Sequence, residues 1–112
     1  WWRLLTNGFA HFGLAHLLCN LFALSVLGPL AEDLFGRWRL LALYLGSAVA
    51  AACLAVALFP AAVLAGASGA VWGLLVGAIV WLVRHRFDLD PAEASDWLRR
   101  LTLAAGVNAV VS

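Results

Sequence analysis

The chain has 112 residues, of which 65% are hydrophobic and only 12% charged, and its mean hydropathy is +0.98. A water-soluble domain is about half apolar and a quarter charged, and one this short leaves too much surface exposed to hide so much hydrocarbon, so a soluble globular fold is excluded. The net charge of +1 includes seven basic residues, all Arg and spread along the chain, which gives no pooled basic surface for nucleic acid.

The expected fold is all-α: a polytopic transmembrane helical bundle, truncated at both ends. Helices satisfy their own backbone in a medium without water, and the two-residue alternation of a membrane barrel strand is absent. There is no Met, and residues 107–112 end within an apolar stretch; both ends read as cut. No signal peptide is visible, because the first apolar run carries His and Asn and has no basic lead. Residues 1–112 are expected to form one partial membrane domain.

In chain order, the first apolar segment runs roughly from Gly13 to Ala31 and the second from Trp38 to Phe59. The third runs from Ala67 to Val83 and the fourth from Trp97 to Ser112. The first three approach the ~20 residues that cross a bilayer. Pro29 falls where a kink or stop is tolerated, while Pro60 and Pro91 lie in connections. Cys19 and Cys53 both fall in apolar spans and read as packing residues, since two isolated Cys form neither a disulfide framework nor a zinc pattern. Tyr44, Gly46, Ser47 and Ala50 in the second segment read as structural.

Between the first two segments lie Glu32, Asp33, Arg37 and Arg39. Between the last two lie Arg84, His85, Arg86, Asp88, Asp90, Glu93, Asp96, Arg99 and Arg100. The connection from Phe59 to Gly66 carries no charge. By the positive-inside rule both charged connections are cytoplasmic. Ser68, at the head of the third segment, then lies near the extracytoplasmic face, as do His11 and His16 at the head of the first. Asn20 lies one turn deeper. His85 sits in Arg84-His85-Arg86 and reads as a solvated flank.

Polar groups placed in lipid are costly and usually functional. His16 and Asn20 are four apart, so they share one helix face. Ser68 opens a helix, where backbone N–H groups are free and the dipole is positive. Such donors suit an oxyanion: an imidazole and a carboxamide from one helix, a backbone amide from another. The plainer reading is that His16 and Asn20 bond helices together and that Ser68 is a packing residue or cap. Gly69, Gly73 and Gly77 form a stripe that admits a close helix. Trp72 lies one turn below Ser68, as cavity wall or packing. His11 is rotated away from His16 and reads as a loop or capping residue. Metal binding is not expected, as the His spacing is not that of a helical zinc pair and no carboxylate or Cys accompanies it on that side. A Ser nucleophile needs a general base, and among the three His of the chain none is left for that role.

Trp2-Arg3, Thr6, His11, His16 and Asn20, followed by Gly66-Ala67-Ser68-Gly69, resemble the rhomboid family of intramembrane serine proteases. Glu32 and Gly36 also resemble its pattern at a cytoplasmic turn. The resemblance covers nearly the whole chain, as the first extracellular loop and helices two to five of a six-helix core. It implies that Ser68 is the nucleophile and that His16, Asn20 and the Ser68 amide form the oxyanion site. Trp2 and Arg3 would belong to a loop in the outer leaflet. Trp72 takes the place of an aromatic, often Tyr, that stacks on the catalytic His, without the hydroxyl. His11 and Trp72 are possible supports of the site. The family's base is a His in a glycine-rich sixth helix, which is expected beyond Ser112, and the first helix is expected before Trp1. The implied activity is endopeptidase cleavage near the outer end of a substrate's transmembrane helix, through an acyl-enzyme, with small residues preferred at the cleavage position. The isolated chain is expected to be inactive.

The implied partners are membrane-protein substrates, single-span or polytopic, and the lipid bilayer; no nucleic acid, metal or organic cofactor is implied. Two other readings remain. One is a rhomboid-like pseudoprotease that binds or escorts membrane proteins. The other is a transporter or channel piece with His11 and His16 as a proton relay, against which all six carboxylates lie in the charged connections.

Overall fold

The computed structural model describes Trp2, residues 13–59 and residues 67–111. Within them are four helices: α1 (Leu14–Phe35), α2 (Arg37–Leu58), α3 (Ser68–Arg84) and α4 (Pro91–Val111). His11, Arg3, Thr6, Pro60 and Gly66 lie outside the described residues. α1 and α2, of 22 residues each, are about 33 Å long at 1.5 Å per residue, enough to cross about 30 Å of hydrocarbon.

The helices extend beyond the apolar segments. α1 continues through Pro29 to Phe35 instead of ending near the proline. Pro29 has no N–H to give the preceding turn, and in that turn the Ser25 hydroxyl donates to the Phe22 carbonyl at 2.7 Å. α4 begins at Pro91, well before the apolar stretch that starts near Trp97. Pro91 opens this helix instead of stopping a connection, because the first position of a helix needs no N–H and favours the fixed φ of proline. The Asp90 carbonyl accepts the first bond, from Ala94 N–H at 2.9 Å. Asp96 is therefore helical and accepts from Arg99 at 3.2 Å and Arg100 at 2.8 Å. Hydropathy marks the part that faces lipid, whereas capping chemistry marks where the helix starts.

Between α1 and α2 the turn is a single residue, Gly36, with φ of 78°. Only glycine adopts that backbone readily. Arg37 and Glu32 pair across the turn at 3.3 Å, both well exposed, and such a pair adds about 0–1 kcal/mol.

The core is a three-helix seam. α1 contributes Ala23, Leu27 and Leu30, α3 contributes Val71, Leu75, Ala78 and Leu82, and α4 contributes Trp97, Leu101 and Ala104. The spacings follow the three-and-four step of a helix face. α2 stands apart: Ala52 is its one buried residue, and it packs mainly on α3. That contact runs along the glycine stripe. A Cβ on Gly69 would lie 2.5 Å from the Ala51 Cβ, and one on Gly77 2.8 Å from Leu43. One on Gly73 would overlap the Ser47 side chain. Leu18, Leu21, Phe22, Leu54, Val76 and Ile79 are exposed, and so large an apolar exterior needs a nonaqueous surrounding. Cys53 is also exposed, not packed within the chain, while Cys19 is half-buried.

Candidate functional site

Both charged connections gather at one end of the bundle. A recess there is lined by Asp33, Glu93, Asp96, Arg100 and the rings of Trp81 and Trp97. His85 belongs to this end but is not a solvated flank among arginines. Its ring stacks on Trp81 with centroids 4.1 Å apart, and Nδ1 lies 2.9 Å from the Trp81 carbonyl oxygen. The helix brings these two residues together because they are four apart.

The opposite end of the core is polar. On α1 the buried stripe begins at Asn20, which is 3% exposed, one turn before Ala23. Neither its Oδ1 nor its Nδ2 has a hydrogen-bond partner among the described residues. A buried carboxamide in that condition costs about 1–3 kcal/mol, and persistent expense of this kind needs a reason. His16, one turn further toward the helix start, is half-buried on the same face, with its Nε2 shielded from solvent. Cys19, next to Asn20, lines a groove with Gly106, Val107 and Val110 of α4, which sets the level of Asn20 against the last turns of α4.

Ser68 is the first residue of α3 and half-buried. Among the described residues no side chain caps this helix start, where the first-turn N–H groups have no partner within the helix itself. The Ser68 carbonyl accepts from Asn108 Nδ2 at 3.3 Å. Asn108 lies in the same stretch of α4 as the groove residues beside Cys19. Ser68, Asn20 and Asn108 thus occupy one level of the bundle, drawn from three helices.

Trp72, one turn below Ser68, is 37% exposed and sits at the bundle surface. His11 lies outside the described residues. Asn108 was missed in the sequence, although it is as polar and as deep in an apolar run as Asn20. The same rule that singles out Asn20 applies to it.

Comparison with known proteins gives consistent matches. A family model described as Rhomboid domain matches residues 1–111. The chain is 40% identical over 82 residues to "Rhomboid protease GluP" of Bacillus subtilis (strain 168), covering 73% of this chain and 16% of that protein. It is 35% identical over 106 residues to "Putative rhomboid protease YdcA" of the same organism, covering 94% of this chain and 52% of that one. It is also 34% identical over 94 residues to "Inactive RHOMBOID-like protein 8" of Arabidopsis thaliana, covering 84% of this chain and 26% of that one. The chain therefore spans about half the length, or less, of these relatives. No solved structure gives a significant match.

Proposed function

The chain belongs to the rhomboid family of helical membrane proteins, and from that premise we propose that its parent protein is an intramembrane serine endopeptidase with Ser68 as nucleophile. The substrate is a membrane protein, cleaved near the outer end of its transmembrane helix. Ser68 Oγ attacks the scissile carbonyl carbon, and its proton passes to a general base. That base is expected from a His of the parent chain outside these 112 residues. Negative charge gathers on the carbonyl oxygen as the tetrahedral intermediate forms. His16, Asn20 and the Ser68 backbone N–H donate to it, and collapse expels the amine to leave an acyl-enzyme that water hydrolyses. Trp72 and His11 are proposed as supports of the site.

The observation that carries this reading is the buried Asn20 carboxamide, which lacks a hydrogen-bond partner among the described residues at the level where α3 begins with Ser68. Donors left unused in the resting state and aimed where charge develops are what an oxyanion site requires. A purely structural Asn would be expected to have its bonds satisfied.

The test uses the parent protein in proteoliposomes with a transmembrane peptide substrate. Ser68→Ala is expected to abolish cleavage and labelling by a fluorophosphonate. His16→Ala is expected to lower kcat by about 10²–10³ with KM little changed. Cleavage by Ser68→Ala at the wild-type rate would sink the proposal. The isolated 112-residue chain is expected not to hydrolyse the same substrate, because the proposed base lies outside it. Cleavage by it that Ser68→Ala removes would reassign His11 or His16 to that role.

A second reading is supported by one specific relative, whose name describes it as inactive. In that reading the same bundle binds membrane helices without cutting them. A parent protein that retains a transmembrane peptide but never labels with fluorophosphonate would favour it.

A further inference from the structure

We infer that Asn108 is a positioning residue for the Ser68 nucleophile, holding the first turn of α3 in place from α4. The inference rests on the proteolytic reading above and adds a residue to it. Asn108 is fully buried, at 0% exposure. It continues the buried stripe of α4 formed by Trp97, Leu101 and Ala104. Those apolar contacts fix how α4 is rotated, so they also fix where the carboxamide points.

The Asn108 Nδ2 donates to the Ser68 carbonyl oxygen at 3.3 Å, joining residues 40 apart in sequence. A backbone carbonyl has two lone pairs. At the first residue of a helix one of them serves the intrahelical ladder, and a side chain can take the other without disturbing it. The bond reaches the backbone of the one residue whose position matters most for the proposed chemistry. The start of a helix has no preceding turn to brace it, so tertiary ties decide where Ser68 sits.

Two quantities depend on that position. One is the line of Oγ toward the scissile carbon, and the other is the direction of the Ser68 N–H toward the developing oxyanion. A displacement of about 1 Å in such a constellation can lower the rate 10²-fold. Asn108 does not need to touch the substrate to act in this way. Its removal is expected to slow the chemical step and leave substrate binding alone.

The experiment compares Asn108→Leu with Leu101→Ala in the full-length parent protein. Leu101 is buried on the same stripe and tests the effect of a weakened α4 seam. kcat, KM, the fluorophosphonate labelling rate of Ser68 and the melting temperature are read for each. Asn108→Leu is expected to lower kcat and the labelling rate together by about 10-fold to 100-fold with KM unchanged. Leu101→Ala is expected to lower the melting temperature with kcat within twofold of wild type. Asn108→Ala, which also lacks the donor, is read alongside so that the outcome does not hang on the folding of one variant. Wild-type kcat and labelling in either Asn108 variant, while Ser68→Ala is dead, would overturn this inference alone. So would a fall in kcat that Leu101→Ala matches. Cleavage that survives Ser68→Ala would overturn the proteolytic reading and this inference with it.

Discussion

Asn20 and Asn108 carry the same side chain into the same level of the core, yet their circumstances differ. Asn108 donates a hydrogen bond to the Ser68 carbonyl, and the Asn20 carboxamide has no hydrogen-bond partner among the described residues. Asn20→Leu removes, at similar volume, a buried amide that has no hydrogen-bond partner among the described residues, so it is expected to raise unfolding free energy by about 1–3 kcal/mol. The same change is expected to lower kcat by about 10²–10³. Reversible unfolding in mixed micelles, run beside substrate cleavage, checks both. A variant that is less stable and equally active would show that Asn20 serves the fold. Such a trade between stability and activity is common where a site holds polar groups ready for a transition state.

At the scale of the elements, the contact of α2 with α3 decides how the bundle is assembled. In a bilayer, apolar side chains gain little by leaving lipid for protein, and association depends on close packing. Gly73 brings α3 so near α2 that a Cβ there would overlap Ser47. Gly73→Ala is therefore expected to destabilise the protein by about 1–3 kcal/mol. Ser47→Gly in the same chain is expected to recover part of that loss, as a positive coupling in a double-mutant cycle. Gly46 supplies the contrast, because a Cβ there meets nothing within 4 Å. Gly46→Ala is expected to be neutral or stabilising by up to about 1 kcal/mol. Equal effects at Gly46 and Gly73 would mean that helix propensity, not interhelical approach, is being measured.

For the whole molecule, the distribution of charge sets the proposed orientation. Six of the seven Arg and all six carboxylates fall between residues 32 and 100, in and around the two charged connections. The structure draws those connections together at the end of the bundle away from Ser68. On the positive-inside rule we propose that this end faces the cytoplasm. With Cys19 and Cys53 replaced by Ala, a Cys at Arg37 or Asp88 is expected to resist a membrane-impermeant maleimide in intact cells and to react once the cells are opened. Ready labelling in intact cells would reverse the orientation and place Ser68 on the cytoplasmic side.

Composition by itself determined that this chain is a helical membrane protein, because so much hydrocarbon on so short a chain has no other stable solvent. Local pattern was enough to bring out Ser68 at a helix start, the shared face of His16 and Asn20, and the glycine stripe, since each follows from residue type and helical spacing. Helix ends were less legible. Pro29 and Pro91 read as interruptions, and in the structure one is carried within α1 and the other opens α4, as capping and packing outweighed the local rule. Only the tertiary structure decided that Asn108 reaches Ser68 across 40 residues, and that Trp97 of α4 stacks on Trp81 of α3. Partnership of that kind depends on how helices rotate and register against one another, and no single helix carries that information in its own spacing.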